Sequence, residues 1–177
     1  HTFPDVEQGT DEWHAIRRGL ITASSIGALI TTKTMKPASN DTARGLLAAI
    51  VAERITGHTE PGYSSWQMER GHIEEPLARD LYNAHHPGAE AVEMGFMIRD
   101  FSGLSLGFSP DGLVGTDGFI EIKSRGQKKQ VVTVLDGQVP PENRAQIEAG
   151  FLVTGREWCD YISYSNGMHL YTVRVTP

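Results

Sequence analysis

Two short segments of the sequence carry residues whose types and spacing suit the hydrolysis of a phosphodiester bond. The first is Ser109-Pro110-Asp111-Gly112, and the second is Glu121-Ile122-Lys123, which begins ten residues after the aspartate. Residues two apart in a β-strand share a face, so Glu121 and Lys123 project together. If the strand before Asp111 pairs with this one, two carboxylates and one ammonium group face a common site.

Such a group of side chains predicts a metal-dependent hydrolytic site. Carboxylate oxygens are hard ligands that suit Mg²⁺ or Mn²⁺. A bound metal ion lowers the pKa of a water molecule, and the Lys123 ammonium can orient that water or neutralise developing charge. The simpler interpretation makes Asp111 a turn residue and Glu121 with Lys123 an exposed ion pair, which is common and weak. The Pro-Asp-Gly run at this spacing favours the metal site.

A sheet with helices before and after it is predicted to position these residues. Apolar alternation and β-branched or aromatic runs predict strands at 96–98, 104–108, 119–124, 158–164 and 170–175, the first three of them adjacent. Helical spacing and capping residues predict helices at 10–18, 22–30, 46–55, 67–84 and 141–153. Residues 111–118 are rich in turn formers and predict an antiparallel return of the chain. Pro76 predicts a kink or a late start in the fourth helix.

Length and composition fit one globular domain. The 177 residues are 39% hydrophobic and 21% charged, and no apolar run approaches the roughly 18 residues of a membrane span. A lone Cys159 excludes an intrachain disulfide and is expected in the core. The formal charge of -6 argues against broad electrostatic binding of nucleic acid. That argument is weakened because divalent cations neutralise metal-binding carboxylates, and because sixteen Lys and Arg residues can cluster on one face.

Four motifs in a fixed order resemble a known family. Residues 7–24, EQGTDEWHAIRRGLITAS, look like its QG..eW...R.G.iTAS signature, and residues 71–79, GHIEEPLAR, resemble its GxxxEPxAR helix. The Pro-Asp-Gly and Glu-x-Lys elements follow, and Ala145-Gln146-Ile147 resembles a helix that carries an active-site glutamine. Up to about Gly155, the sequence therefore resembles the lambda exonuclease and YqaJ-type viral recombinase branch of the PD-(D/E)XK nucleases.

The resemblance implies a set of metal ligands. Asp111, Glu121 and the backbone carbonyl of Ile122 would hold a first Mg²⁺ ion, for which Mn²⁺ is an alternative. Gly71 aligns Glu75, and not Glu74, with the acid that serves a second ion or its water. Two ions near a phosphodiester stabilise both the attacking and the leaving oxygen.

The resemblance also implies residues that position the water and the DNA end. Lys123, helped by Gln146, would position the nucleophilic water. Arg17, Ser24 and Ser109 match a pocket that receives the 5′-phosphate of a DNA end. An arginine fork and hydroxyl donors favour a phosphate dianion.

The fold that the resemblance implies is an α/β (α+β) PD-(D/E)XK restriction-endonuclease-like core, with a central mixed β-sheet flanked by helices. Residues 1–177 would form a single nuclease domain. Within it, residues 1–60 would form a helical wall of the DNA cleft and residues 67–177 the catalytic core.

The activity that the resemblance implies is Mg²⁺-dependent 5′-to-3′ exonuclease action on linear double-stranded DNA, leaving 3′ single-stranded tails for phage-type recombination. The implied partners are double-stranded DNA ends, a single-strand annealing protein and two further copies in a homotrimer, with no membrane. The enzyme would be encoded by a phage or prophage and act in the cytoplasm of a bacterial host. Two alternatives stay open, namely an endonuclease of the same fold and a noncatalytic module that binds DNA ends or metal.

Two further features have competing interpretations. Trp13 lies within the first motif, yet a tryptophan on an amphipathic helix is usually a core anchor, and that interpretation is favoured. Lys128 and Lys129 follow the Glu-x-Lys element and suit either the DNA backbone or a solvated charged surface.

Overall fold

The computed structural model describes residues 1–32, 34–60 and 66–177, with Gln67 described by its backbone alone, and these residues form six helices and nine strands. The helices are α1 (Asp11–Arg17), α2 (Ala23–Ile26), α3 (Asp41–Thr56), α4 (Trp66–His85), α5 (Gln127–Asp136) and α6 (Pro141–Thr154). The strands are β1 (Thr2–Phe3), β2 (Ile21–Thr22), β3 (Ala91–Val92), β4 (Phe96–Phe101), β5 (Leu104–Phe108), β6 (Gly112–Val114), β7 (Gly118–Ser124), β8 (Trp158–Tyr164) and β9 (Tyr171–Val175). Among the described helices, none is long and apolar enough to cross a lipid bilayer.

The chain divides into two compact units, and each has its own sheet. The first unit comprises His1–Pro61, Met94–Ser109 and Pro141–Gly155. Its sheet has the order β1-β4-β5-β2, in which the first two pairings are antiparallel and β5 pairs parallel with β2. Helix α6 packs on this sheet with a continuous apolar face. Its buried residues are Ala145, Ile147, Ala149, Phe151 and Val153.

The second unit comprises Gly62–Glu93, Pro110–Pro140 and Arg156–Pro177. Its sheet has the order β3-β6-β7-β8-β9, with β7 in the centre and parallel to β8, while the other pairings are antiparallel. Ile120 and Ile122 of β7 belong to a buried apolar cluster with Ala78 and Tyr82 of α4. The opposite face of β7 is therefore left to Glu121 and Lys123.

The strand that pairs with β7 differs from the sequence-based prediction. The prediction made 104–108 and 119–124 neighbours and assigned 111–118 to a turn, but β5 and β7 belong to different sheets. The partner of β7 is β6, in which Gly112 lies opposite Ile120. A strand of three residues beside Gly112 and Gly115 shows no alternation of apolar and polar residues, so the sequence pattern did not indicate it.

Two helices also differ from the predicted bounds. The predicted helix 22–30 is only the four residues of α2, capped by Thr22 and followed by turns. Lys128 and Lys129, which the sequence analysis assigned to no helix or strand, lie in the first turn of the ten-residue α5.

Helix α4 spans Pro76, which is the eleventh of its twenty residues, so the helix does not begin at the proline, the late start that was one of the two predicted outcomes. The spacing of Ile73, Leu77 and Leu81 predicted this helix, yet these side chains are exposed, at 69%, 45% and 38%. The face that packs in the second unit carries the smaller Ala78 together with Tyr82.

Candidate active site

Strand β7 brings Glu121 and Lys123 to one face of the sheet, as the two-residue spacing predicts. The Lys123 ammonium Nζ forms an ion pair with Oε1 of Glu121. Glu121 is fully buried, whereas about a quarter of the Lys123 side chain stays accessible, at 26%. The ammonium group is therefore the part of this pair that a molecule from solvent can reach.

Asp111 joins this pair because it directly precedes β6, which runs antiparallel to β7. Its Oδ2 accepts a hydrogen bond of 2.5 Å from the backbone amide of Ile122, and its side chain is buried. The Pro-Asp-Gly motif and the Glu-x-Lys motif thus meet at the start of the β6–β7 hairpin.

Glu75 and Glu74 on α4 face different partners. Oε1 of Glu75 is 3.4 Å from Nη1 of Arg79, and Nη1 of Arg79 also donates 2.6 Å to the carbonyl oxygen of Asp111. Glu74 is buried and accepts from the hydroxyl of Ser124 at 2.5 Å. The acid that shares Arg79 with Asp111 is therefore Glu75, the one that the motif alignment predicted.

The charges of these groups act on one another. Burial, followed by the negative charges of Glu121 and Glu75, raises the pKa of Asp111 well above its ordinary value. Burial also raises the pKa of Glu75; Arg79 opposes this rise and Glu121 adds to it. Burial alone would lower the pKa of Lys123, but the carboxylates of Glu121 and Asp111 outweigh it and the pKa is raised. The cluster thus holds three carboxyl groups that repel one another and an ammonium group that stays charged.

The donor set fits a divalent cation. Apart from the ion pair with Lys123, the carboxylate oxygens of Glu121 have no hydrogen-bond donor among the described residues. A buried carboxylate without donors is costly unless a cation compensates its charge. Within residues 1–32, 34–60 and 66–177, no three His, Cys, Asp or Glu side chains stand close enough to form a metal site by themselves. Mg²⁺ usually binds through one or two carboxylates and keeps several waters, so Asp111 and Glu121 suffice for such a site.

The residues predicted to bind a 5′-phosphate lie in the first unit, where two of them contact Trp13. The Arg17 guanidinium stacks on the Trp13 ring, 3.8 Å from its centroid, and its Nη2 is 3.4 Å from the hydroxyl of Ser24. The Trp13 indole donates 2.9 Å to the hydroxyl of Ser109. Arg17, Ser24 and Ser109 are therefore linked through direct contacts and through Trp13.

The positive charge of Arg17 is not offset by an acid. No Asp or Glu of the described chain lies within ion-pair distance of its guanidinium, and burial lowers the pKa of Arg17 to about 10. A cavity of about 190 Å³ lies beside it, and its other polar lining includes His14, Arg18, Ser25 and Glu53, whose carboxylate accepts from the backbone amide of Gly19. A desolvated guanidinium without a carboxylate partner is suited to an anion such as a phosphate.

Ser109 has its hydrogen-bonding capacity largely engaged. Its hydroxyl donates 2.9 Å to the carbonyl oxygen of Gly95 while accepting from Trp13. Because a hydroxyl has a single hydrogen, Ser109 in this conformation orients the pocket and does not donate to a ligand. The exposed hydroxyl of Ser24 accepts from Arg17 and lies 3.2 Å from the hydroxyl of Thr22, and either oxygen of that pair can be the donor.

Gln146, the remaining predicted site residue, lies half-buried on α6 in the first unit, while the carboxyl cluster belongs to the second. Its role beside Lys123 stays a prediction.

The sequence interpretation gave no role to Arg79, although it stands four residues after Glu75, a spacing that brings helical side chains together. It also took Trp13 for a core anchor, whereas the ring is only partly buried and contacts Arg17 and Ser109.

Comparisons with known proteins identify a matching family profile and proteins of similar structure. The sequence profile described as the YqaJ-like viral recombinase domain matches residues 12–157. The structure is similar to that of an alkaline exonuclease (LHK-Exo) from Laribacter hongkongensis, with 31% sequence identity and a TM-score of 0.81 over 94% of this chain and 82% of that one. LHK-Exo in complex with dAMP matches with 32% identity and a TM-score of 0.80 over the same shares of the two chains.

A phage related exonuclease from Haemophilus somnus 129PT shares the fold at 12% identity, with a TM-score of 0.63 over 89% of this chain and 84% of that one. No curated protein is significantly similar in sequence.

Proposed function

The chain belongs to the family of YqaJ-like viral recombinase domains and is a nuclease that acts on DNA, and we propose that it removes nucleotides from the 5′-phosphorylated ends of linear double-stranded DNA. It would proceed 5′ to 3′ with the aid of Mg²⁺ and leave 3′ single-stranded tails for recombination of phage DNA in a bacterial host. The fold is of the predicted PD-(D/E)XK class, although its strands form two mixed sheets.

The observation that carries this proposal is the carboxyl cluster around β7. Apart from its ion pair with Lys123, the fully buried Glu121 has no hydrogen-bond donor among the described residues. Asp111 accepts from the backbone amide of Ile122, and Lys123 reaches solvent. Nucleases of this family use divalent metal ions. Asp111, Glu121 and the carbonyl of Ile122 would hold the first Mg²⁺ ion, and Glu75 would serve a second. Bound there, the metal supplies a Lewis acid for the phosphate and lowers the pKa of water.

The residues of the chain itself orient the reactants. The Lys123 ammonium would hold the attacking water by a hydrogen bond and offset negative charge that develops on the phosphate. Arg79 fixes the backbone carbonyl of Asp111 and the side chain of Glu75, so that both acids keep their orientation. The water oxygen bonds to phosphorus, the bond to the 3′ oxygen breaks, and a nucleoside 5′-monophosphate leaves.

End recognition is the second part of the proposal. Arg17 and Ser24 would bind the terminal 5′-phosphate, with Ser109 and Trp13 holding the arginine and the pocket wall in place. The unpaired positive charge of Arg17 supports a dianionic ligand, since a terminal phosphate carries more negative charge than a diester. The structure of the related LHK-Exo with dAMP supports a nucleoside monophosphate as the unit that this chain releases.

Protein partners would follow from the same function. We propose that three copies assemble and that a single-strand annealing protein receives the tails. The exposed apolar side chains of Ile73, Leu77 and Leu81 on α4 support a contact with another protein surface. Light scattering of the purified protein would give the number of copies, and a monomer at micromolar concentration would exclude the trimer.

The test compares DNA ends directly. The protein is incubated with Mg²⁺ and end-labelled linear duplex that carries either a 5′-phosphate or a 5′-hydroxyl, beside covalently closed circular DNA, with Lys123→Ala as control. We expect nucleotide release from the phosphorylated linear duplex and its loss in the variant. Nicking of the closed circle would identify an endonuclease instead, and cleavage of none of the substrates would leave a noncatalytic module.

A further inference from the structure

A cavity of about 660 Å³ in the second unit lies at the end of β7 and is basic. Four cationic residues line it, namely Arg70, Arg125, Lys128 and Lys129. They are a quarter of the sixteen Lys and Arg residues of a chain whose net charge is -6. The remaining lining residues are Ser124, Gly126, Gln127 and Val132, so that no acidic side chain lines this cavity within the described chain.

Each of the two arginines of the cavity has a hydrogen-bond partner that is neutral. Arg70 donates 2.8 Å from Nε to the hydroxyl of Ser124 and 3.3 Å from Nη2 to its carbonyl oxygen, and Arg125 donates 2.8 Å to the phenol of Tyr161. Glu74 lies 3.8 Å from Arg70 and offsets part of its charge. Because the described residues that line the cavity include four cationic and no acidic side chains, the cavity favours an anion.

The start of α5 adds to this potential. Gly126 caps the helix and has no side chain that could accept from the first amides. Lys128 and Lys129 stand in that first turn with exposed side chains. Backbone amides at a helix N-terminus favour anions, and here they accompany four cationic side chains.

We propose that this cavity binds phosphate groups of the DNA backbone other than the scissile one. The inference rests on the proposed function, because it takes DNA as the ligand. Arg125 lines the cavity two residues after Lys123 and donates to Tyr161, the residue of β8 that lies opposite Glu121. A strand held in the cavity would therefore pass the end of β7 that carries Lys123. Its ligand is any phosphodiester backbone, without preference for base sequence.

The experiment measures DNA binding without cleavage. Labelled duplex is titrated by fluorescence anisotropy with the Asp111→Asn protein at several salt concentrations, and then with the same protein carrying K128A and K129A. Each lysine that contacts a phosphate contributes about 1 to the slope of log affinity against log salt, so we expect the slope to fall by up to about 2. Thermal unfolding checks that these surface substitutions leave the fold intact.

Two matched variants make the result specific. R44A with R144A removes the same number of charges from exposed arginines that pair with Asp41 and Glu148, and should leave the slope unchanged. K128R with K129R keeps the charge and should keep the slope. An unchanged slope in the K128A and K129A protein, or an equal fall in the arginine control, would overturn the proposal.

A small substrate distinguishes a loss of DNA backbone binding from a loss of the hydrolytic activity itself. Hydrolysis of bis(p-nitrophenyl) phosphate needs no backbone binding, so we expect K128A with K129A to leave its rate unchanged while kcat/KM on long duplex falls. An equal fall on both substrates would assign the lysines to the reacting site and refute backbone binding. If the unaltered protein cleaves neither substrate, the proposed function fails, but the salt dependence of binding still tests the cavity.

Discussion

The carboxyl cluster of the second unit and the Arg17 pocket of the first carry uncompensated charge of opposite sign. In the cluster, three carboxyl groups face the Lys123 ammonium and the Arg79 guanidinium, and apart from its ion pair with Lys123 the buried Glu121 has no donor among the described residues. In the pocket, the desolvated guanidinium of Arg17 stacks on an aromatic ring and contacts the hydroxyl of Ser24, and no acid of the described chain lies within ion-pair distance of it, although Glu53 lines the same cavity. Each region therefore lacks the charge that its expected ligand would bring.

This difference in charge indicates which part of the reaction each region serves. A site with excess negative charge is completed by a metal cation, and one with excess positive charge by a phosphate. Ser109 and Asp111 are two residues apart in the sequence, yet the first belongs to the pocket and the second to the cluster. One short motif thus supplies a residue to each kind of site.

The largest effect should come from the cluster. Replacing Asp111 by Asn keeps the shape and a hydrogen-bond acceptor for Ile122 but removes a charged metal ligand. We expect the rate of nucleotide release to fall on the order of 10³-fold, as when other charge-stabilising groups of active sites are removed. Single-turnover cleavage of phosphorylated duplex with Mg²⁺ measures it.

The same substitution should leave end preference unaltered. Residual cleavage by Asp111→Asn should still favour 5′-phosphate over 5′-hydroxyl ends, because the Arg17 pocket is intact. Loss of both rate and preference would mean that the two regions do not have separate tasks.

A smaller effect is expected from the pocket. Arg17→Ala should lower kcat/KM on 5′-phosphorylated ends by about 10- to 100-fold, since a charge-assisted hydrogen bond contributes about 1.5–3 kcal/mol. Ends with a 5′-hydroxyl should be cleaved at nearly the original rate. The measurement is the ratio of kcat/KM for the two ends, and Arg44→Ala, which removes an exposed cation elsewhere, is the control.

The sequence predicted the cluster better than the fold around it. Glu121 and Lys123 share a face because the period of a strand is two residues, and this holds whichever strand lies beside them. The pairing of β7 could not be predicted, because β6 has three residues among glycines and shows no alternation. The division of strands into two sheets depends on contacts between distant segments that periodicity does not report.

In the pocket, too, the sequence predicted the residues but not all of their side-chain contacts. The family motif predicted Arg17, Ser24 and Ser109, and the structure links them. Composition gave no sign that Trp13 is the link, because an aromatic residue on a helix suits a core equally well. The hydrogen bond from the Ser109 hydroxyl to the carbonyl oxygen of Gly95 depends on tertiary structure and could not be predicted from the sequence.

Stability should change in the opposite direction to activity in the cluster. Asp111 is buried beside Glu121 and Glu75, which raise its pKa, so Asp111→Asn relieves repulsion in the metal-free protein. We expect the metal-free variant to unfold at a higher Tm than the metal-free unaltered protein, because burial and the two neighbouring carboxylates disfavour the charged form of Asp111. Mg²⁺ should raise the Tm of the unaltered protein and not that of the variant. Equal shifts with Mg²⁺ would show that the ion binds elsewhere.

The smallest effect should come from Trp13, which supports the pocket without an expected contact to the reacting atoms. Trp13→Phe keeps an aromatic face for Arg17 but loses the indole donor to Ser109, whereas Trp13→Leu loses both. A cation–π contact of about 0.5–1 kcal/mol predicts a further two- to fivefold loss of 5′-phosphate preference in the leucine variant. The preference ratio at constant metal concentration measures it, while 5′-hydroxyl ends report any general damage to the fold. If Trp13→Leu lowers cleavage of both ends equally, Trp13 stabilises the unit and does not orient Arg17, and the pocket would then owe its selectivity to the arginine alone.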